Sequence, residues 1–308
     1  MPSSFLEVGI EAEDRWRQLI AGERPWIRIG TALCGEAAGA FEVAMAVESE
    51  LKKQGVSAEV SRVGCLGLCF AEPLLDVQLP GGHRVFYGNV DPDNVVEIIS
   101  SHVSGGVPLT AKALGYLAQK GSDAPVPDGI PDLDQHPMRI WENRIVLRNA
   151  GNIDPLDIYQ YVANGGYQAL HNALTNLDPQ QTLDEVKASG LRGRGGAAFP
   201  TATKWSFLAG NPATEKFVLC NCEEGDPGAF NDKNILESDP GTLVEGVIIA
   251  GYATGASKGY IFIRHGHNGP IDRCRAAVDQ ARELGFLGEN IMGSDFSYEI
   301  EIALTGDS

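Results

Sequence analysis

The chain has 308 residues, 43% of them hydrophobic, which suffices for about two domain cores and excludes a disordered protein. Its 41 acidic and 24 basic residues give a formal net charge of −17, so nucleic-acid binding is excluded as its main function. The sequence has no run of about 18 apolar residues, no signal-peptide pattern and only six cysteines. We therefore expect a cytoplasmic protein without a membrane span, whose cysteines are free or bound to metal.

The first hundred residues alternate between helical and strand-like spacing of apolar side chains. Between Ala37 and Gln54 these side chains recur every three or four residues, and Gly55 follows as a helix-ending glycine. His83 and His102 are expected on the surface. The order of elements is that of a small thioredoxin-like domain, which we predict over residues 1–103. The elements are a helical lead-in within 1–25, strands at 26–29, 58–63, 74–79 and 85–87, and helices at 37–54 and 91–101.

Residues 104–138 are predicted to form a linker, because Gly, Asp and four prolines near its end disfavour regular structure. A second module is predicted over 139–308. Its helices and apolar strands interleave, which predicts an α/β layer structure with at least partly parallel strands. Its strands are predicted at 145–147, 216–220, 258–263 and 298–304, and its helices at 156–163, 183–189, 240–254 and 271–284.

A glycine-rich segment begins at Gly190 and has four glycines and two arginines within seven residues. Such a loop, leading into a helix, cradles phosphate through its backbone N–H groups, and Lys204 would add a positive charge. Phe199 and Phe207 offer ring faces to a purine or flavin. The segment fits neither the P-loop nor the GxGxxG pattern. A tight structural turn is the alternative interpretation.

An acidic segment follows the strand that ends at Cys220. Ligands bind at strand ends in open α/β sheets, and Glu223, Glu224 and Asp226 would repel one another unless they met donors such as ribose hydroxyls or a flavin N–H. A solvated acidic turn is the alternative. Cys220 and Cys222 are spaced unusually for half of a metal site.

Three stretches together resemble the NADH-binding flavoprotein subunit of respiratory complex I. It has relatives among the diaphorase subunits of NAD-reducing hydrogenases, formate dehydrogenases and electron-bifurcating enzymes. The stretches are RIVLRNAGNIDPLDIYQYVANGGYQAL at 144–170, GLRGRGGAAFPTATKWSF at 190–207 and CNCEEGDPGAF at 220–230. The resemblance implies a Rossmann-like α/β domain binding FMN and NAD(H), incomplete at its C-terminus. Hydride would pass between nicotinamide and flavin, and electrons would continue singly to iron–sulfur subunits of a larger complex, which is peripheral to a membrane in some relatives.

The family's roles transfer to this chain by motif. The resemblance implies that no side chain is a catalytic acid or base, since the flavin carries the chemistry. It implies that Asn221, Glu223 and Glu224 hold the flavin and that Asp226 faces the nicotinamide. Phe199 and Phe207 would neighbour the adenine of NADH. The phosphate region would be lined by Gly193, Arg194, Gly195, Gly196 and Lys204.

The chain departs from the family pattern in two ways. Ala198 and Ala202 stand where the family has glycines. The sequence also stops at Ser308, before the family's Cys-Gly-Glu-Glu segment and the four cysteines of its [4Fe–4S] cluster, so no [4Fe–4S] cluster is expected here. Two hypotheses follow: a flavoprotein subunit of NADH:acceptor oxidoreductase type, or a truncated non-catalytic homologue acting as a scaffold.

The first module is similar to the thioredoxin-like [2Fe–2S] ferredoxin domain. Cys65 and Cys69, followed by Glu72-Pro73, match the second half of its signature, and Cys34 matches one cysteine of the first half. No cysteine precedes Cys34, so a cluster on these three would lack its fourth thiolate. Water, a carboxylate such as Glu36, or nothing would take that place. A cluster-less docking scaffold is the alternative, and Cys274 is expected to be an inert buried thiol.

Overall fold

The computed structural model describes residues 4–226 and 228–306, and the chain divides into two compact units. The N-terminal unit comprises Ala12–Gln160 together with Glu237–Asp239. The C-terminal unit comprises the described parts of Met1–Glu11, Tyr161–Leu236 and Pro240–Ser308. The N-terminal unit therefore continues past residue 138, where the sequence analysis ends the linker.

Helices and strands occupy both units. The strands are β1 (Trp26–Gly30), β2 (Glu59–Val63), β3 (Leu75–Gln78), β4 (Arg84–Tyr87), β5 (Ala113–Leu117), β6 (Phe217–Cys222), β7 (Lys258–Ile263) and β8 (Glu299–Leu304). The helices are α1 (Phe5–Ala21), α2 (Leu33–Ala37), α3 (Ala40–Gln54), α4 (Pro92–Ile98), α5 (Ile158–Ala163), α6 (Gln168–Asn176), α7 (Pro179–Ala188), α8 (Thr201–Ala209), α9 (Asn231–Ser238), α10 (Pro240–Thr254) and α11 (Asn268–Glu283).

The N-terminal unit is built on a mixed sheet of order β2-β1-β3-β4-β5. β1 pairs with β2 in parallel, and the remaining neighbours pair antiparallel. Val43 and Val47 on α3 pack with Ile27 and Val77 of the sheet in one buried core. Gly55 ends α3 with a left-handed φ of +67°, as its position predicts. This architecture confirms the predicted thioredoxin-like fold.

A buried ionic cluster crosses three strands of this sheet. Arg28 on β1 donates to Asp76 on β3 at 2.9 Å, and Arg84 on β4 donates to the other oxygen of Asp76 at 2.8 Å. All three residues are buried. Burial and the neighbouring Arg84 charge lower the pKa of Arg28 to about 10. Burial alone would raise the pKa of Asp76, but the two guanidinium groups outweigh it and hold that pKa below its usual range.

The expectation of an unstructured segment at 104–138 is wrong at Ala113–Leu117, which pairs with β4 as the fifth strand. Pro108 lies before the strand and the other four prolines of this segment lie after it, so none interrupts its hydrogen bonds. The strand predicted at 145–147 is also absent. Ile145 is 69% exposed, and the Ala150 N–H donates to the Leu147 carbonyl within a turn.

The C-terminal unit contains a parallel sheet of order β6-β7-β8. The helix predicted at 240–254 and the strand predicted at 258–263 are confirmed with those bounds as α10 and β7. α10 packs on one face of the sheet, whereas Phe217 and Leu219 of β6 remain 50% and 66% exposed. This arrangement confirms the predicted α/β class. Among the described residues, no helix has the length and apolarity needed to cross a bilayer.

A buried carboxylate on α10 organises the start of α6. Glu245 accepts hydrogen bonds from the Tyr167 N–H at 2.8 Å, from the Leu170 N–H at 3.0 Å and from the Tyr161 hydroxyl. Tyr167 precedes α6 with a left-handed φ of +59°. The Glu245 side chain therefore caps a neighbouring helix. Neither α6 nor this contact is predicted from the sequence.

Candidate functional site

The glycine-rich segment forms an exposed loop between α7 and α8. The Gly193 N–H donates to the Phe199 carbonyl, and the Thr201 N–H donates to the Leu191 carbonyl, both at 2.9 Å. These contacts close the base of the loop, and every residue from 190 to 200 is exposed. The loop therefore presents its backbone to solvent, as a phosphate-binding loop requires.

Two glycines and one alanine set the conformation of this loop. Gly196 has a φ of +94°, in the region that favours glycine, and Gly195 has nothing within 4 Å of where a Cβ would stand. Ala198, where the resemblance implies a glycine, has a φ of +50°. The backbone thus keeps a glycine-type conformation at a residue that has a Cβ.

Helix α8 carries the basic and aromatic side chains predicted to contact the dinucleotide. Lys204 lies in its first turn and is exposed, and Phe207 is 66% exposed. The rings of Phe207 and Phe199 lie 6.5 Å apart with planes inclined by 47°. Ala202, the other position where the resemblance implies a glycine, is buried within the helix. The structure therefore brings Phe199 and Phe207 into one aromatic pair open to solvent.

The acidic segment lies at the carboxyl end of β6, as predicted. The Asn221 side chain accepts from the Glu223 N–H at 3.1 Å, and Asp226 is exposed. Arg264, which follows β7, donates to the Glu223 carboxylate at 2.9 Å. The ion pair thus links the ends of two adjacent parallel strands. Arg264 is a residue that the sequence analysis does not include in the site, although it directly follows a predicted strand.

Glu224 has a different environment from its acidic neighbours. Its buried carboxylate accepts from the N–H groups of Asn231 at 2.6 Å, Asp232 at 3.1 Å and Lys233 at 3.0 Å. These are the free donors at the start of α9, so Glu224 caps that helix. Burial and the charge of Glu224 raise the pKa of Asp232. In this structure Glu224 shapes the acidic turn through its backbone contacts.

Cys220 and Cys222 lie side by side, with their sulfur atoms 3.7 Å apart. The hydrogen bond to Cys220 and burial raise the pKa of Cys222. Cys274 is buried, as expected. Across the described residues, no group of three or more His, Cys, Asp or Glu side chains converges closely enough to hold a single metal ion.

The three cysteines of the N-terminal unit occupy two neighbouring loops. Cys34 on α2 lies 3.7 Å from the sulfur of Cys69, and the Cys65 sulfur lies 3.9 Å from the Glu72 carboxylate. Burial raises the pKa of Cys65 to about 12. Burial and the Cys69 thiol raise the pKa of Cys34 to about 11. The predicted thiols therefore lie in one region of the unit, together with a carboxylate that the sequence analysis does not assign to it.

Comparison with known proteins finds relatives of the segment that contains both the glycine-rich loop and the acidic turn. Residues 186–307 match the family model described as the Nuo51 FMN-binding domain. The NADP-reducing hydrogenase subunit HndC of Solidesulfovibrio fructosivorans is 50% identical over 159 residues, which are 52% of this chain and 32% of the relative. An NADH-quinone oxidoreductase subunit of Aquifex aeolicus is 48% identical over 159 residues, or 52% of this chain and 37% of the relative.

A solved structure of the NAD⁺-reducing [NiFe]-hydrogenase in the H2-reduced state is similar to 99% of this chain and 46% of its own. Its TM-score is 0.42 at 22% identity. The chain spans about a third of the length of the two curated relatives. The resemblance deduced from the motifs is confirmed for the segment that carries them: residues 186–307 match the Nuo51 FMN-binding domain and lie within the region similar to these complex I and hydrogenase subunits.

Proposed function

We propose that this chain is the flavoprotein module of an NADH:acceptor oxidoreductase. In this role it exchanges hydride between NAD(H) and FMN and delivers electrons to iron–sulfur subunits of a larger redox complex. The observation that carries the proposal is that one FMN-binding domain, residues 186–307, contains both the exposed glycine loop and the acidic turn at the end of β6.

The donor set around the loop suits a phosphate-bearing flavin. Gly195 leaves open space at its Cβ position, so a ligand can approach the backbone closely. Arg194 and Lys204 are exposed and supply positive charge for the phosphates. The exposed pair of Phe199 and Phe207 offers a stacking surface for adenine. These features support binding of both FMN and NADH at this loop.

The acidic turn supports orientation of the flavin ring. When bound, FMN supplies the conversion between two-electron hydride chemistry and single-electron transfer. Arg264 holds the Glu223 carboxylate in place, which leaves its second oxygen to accept from ring N–H or ribose donors. The exposed Asp226 would face the nicotinamide. The side chains therefore bind and align two rings, and none of them needs to transfer a proton.

The names of the relatives support the assignment of partners. The relatives are subunits of a quinone oxidoreductase and of a hydrogenase, so we propose iron–sulfur subunits of a multi-subunit complex as the electron acceptors. The scaffold hypothesis is less favoured, because a non-binding homologue has no need for an exposed loop with a glycine-type conformation at both Gly196 and Ala198.

An anaerobic spectrum of the chain with FMN, before and after NADH, tests the proposal. We expect a retained flavin band that bleaches with NADH. Gly195→Ala should weaken FMN binding at least tenfold, because its methyl group meets only the ligand. Gly246→Ala is the matched control: this exposed glycine in α10 also has nothing within 4 Å of its Cβ position. A flavin band unchanged by NADH, or equal FMN affinity in both variants, contradicts the proposal.

A further inference from the structure

Three thiols and one buried carboxylate lie on two loops of the N-terminal unit. Cys34 is on α2, directly after the loop that follows β1. Cys65 and Cys69 are on the segment after β2, and Glu72 follows the short 3₁₀ turn that begins at Cys69. A Cβ at Gly35, the residue after Cys34, would stand 3.3 Å from the Glu72 carboxylate. The two loops therefore bring the four groups into one region.

The spacing of these groups pairs them two by two. The sulfur atoms of Cys34 and Cys69 are 3.7 Å apart, and Cys65 is 3.9 Å from a Glu72 oxygen. Two thiolates on one tetrahedral metal ion, each about 2.3 Å from it, stand about 3.8 Å apart. A thiolate and a carboxylate oxygen on one ion stand about 3.5 Å apart. Each pair is thus close to the spacing of two ligands on one metal ion.

The paired arrangement fits two metal ions better than one. In the described part of the chain, no three such side chains converge tightly enough for a single ion. A [2Fe–2S] cluster takes two ligands on each iron, so it matches two separate pairs. The donor set also suits iron, since thiolates dominate it and Glu72 supplies the anionic fourth group in place of a cysteine.

Glu72 is better placed for this role than Glu36, the carboxylate named from the sequence. Glu36 is exposed on α2, whereas Glu72 is 8% exposed and accepts from the Leu74 N–H at 2.9 Å. A Cβ at Gly30 would stand 3.4 Å from the Glu72 carboxylate, whereas a Cβ at Gly35 would first meet the Gly30 carbonyl oxygen at 2.1 Å. Gly30 therefore leaves space beside this carboxylate.

We propose that Glu72 is the fourth ligand of a [2Fe–2S] cluster in the N-terminal unit, with Cys34 and Cys69 on one iron and Cys65 and Glu72 on the other. Binding releases the three thiol protons and leaves three thiolates and one carboxylate as ligands, the same total charge as four thiolates. The proposal is independent of FMN binding, since all four residues lie in the N-terminal unit.

The test uses the full chain reconstituted anaerobically with ferrous iron and sulfide. We expect about two irons and two sulfides per chain, and an electron paramagnetic resonance signal of a [2Fe–2S] cluster after reduction. Glu72→Gln keeps the shape and the acceptor for Leu74 but removes the anionic ligand, so iron retention against a chelator should fall at least tenfold. Glu36→Gln and Cys274→Ser should retain iron like the parent chain.

Glu72→Cys gives a second, positive readout. It supplies a fourth thiolate, so the variant should hold the cluster and shift its visible spectrum towards that of an all-cysteine site. Circular dichroism identifies variants that do not fold. The proposal is overturned if the parent chain binds no cluster or if Glu72→Gln retains iron with an unchanged resonance signal. It is also overturned if folded Glu72→Cys holds the cluster with the parent spectrum.

Discussion

Glu224 accepts a hydrogen bond from the N–H of Asn231 at 2.6 Å, and this contact fixes the acidic turn to the first residue of α9. The neighbouring Glu223 instead pairs with an arginine at partial exposure. The two consecutive glutamates therefore have different partners: Glu224 caps the helix backbone, and Glu223 pairs with an arginine side chain.

Replacing Glu224 by alanine should destabilise the chain by about 1–2 kcal/mol, because three N–H groups at the start of α9 lose their acceptor. Chemical unfolding with a circular dichroism readout measures this change. Glu223→Ala is the matched control and should cost less than about 1 kcal/mol, since its ion pair is about a third exposed. An equal loss in the two variants contradicts the helix-capping role.

Ala198→Gly and Ala202→Gly should have opposite effects on stability. Ala198 has a φ of +50°, so glycine there should relieve about 1 kcal/mol of backbone strain. Ala202 lies in α8 with no such strain, and glycine there should cost about 1 kcal/mol. Urea unfolding of the two variants measures whether the free energy of unfolding rises for Ala198→Gly and falls for Ala202→Gly. Destabilisation by Ala198→Gly would show that this conformation is unstrained.

Glu245→Gln should destabilise the chain by about 2 kcal/mol. The buried carboxylate accepts from two backbone N–H groups and the Tyr161 hydroxyl, and an amide provides only one acceptor oxygen for them. Thermal unfolding measures the effect. Glu283→Gln, at the exposed end of α11, serves as the control and should leave the melting temperature unchanged. A similar melting temperature for both variants would contradict the capping of α6 by Glu245.

His102 should make the N-terminal unit less stable in acid. Burial lowers the pKa of His102 to about 4, and its Nδ1 lies 2.9 Å from the Tyr87 hydroxyl. That hydroxyl accepts from the Leu109 N–H, so it is oriented to donate its own proton to Nδ1. Since the folded pKa lies below the unfolded value of about 6.5, the contribution of the neutral ring is full above pH 6.5. It is lost as pH falls to about 4.

Protonation of His102 should lower the free energy of unfolding by about 3 kcal/mol between pH 6.5 and pH 4. His102→Gln should remove this component from the dependence of unfolding free energy on pH, whereas His265→Gln, at an exposed position, should not. A nuclear magnetic resonance titration gives the pKa of His102 directly. A value near 6.5 would refute the prediction.

The sequence predicts those helices and strands whose apolar pattern and end residues lie within one stretch of the chain. α10 and β7 are long apolar segments with clear ends, and their bounds are confirmed. α6 is missed because its first turn depends on the distant Glu245 and on a left-handed Tyr167, which no local pattern encodes. β5 is missed because prolines that follow it dominate the composition of the segment.

In the candidate site too, features encoded in one stretch of sequence are predicted, and features that depend on contacts between side chains are not. The glycine loop and the acidic turn carry family motifs within single stretches, so both are found from the sequence. Arg264 stands outside the acidic motif and joins it through a tertiary contact, whereas Glu72 belongs to the matched ferredoxin signature and only its contact with Cys65 is not predicted from the sequence. His102 was expected on the surface, and that expectation is wrong: its position at the end of a helix conceals its burial against Tyr87.

The Arg28–Asp76–Arg84 cluster has a consequence for folding fidelity. It joins β1, β3 and β4 at a single register, and Asp76 meets both arginines only in that register. A slip of one residue would turn these side chains to the opposite face of the sheet and leave an uncompensated charge in the apolar interior. A misregistered pairing of these strands is therefore higher in electrostatic free energy than the native pairing, in addition to any loss of apolar contacts.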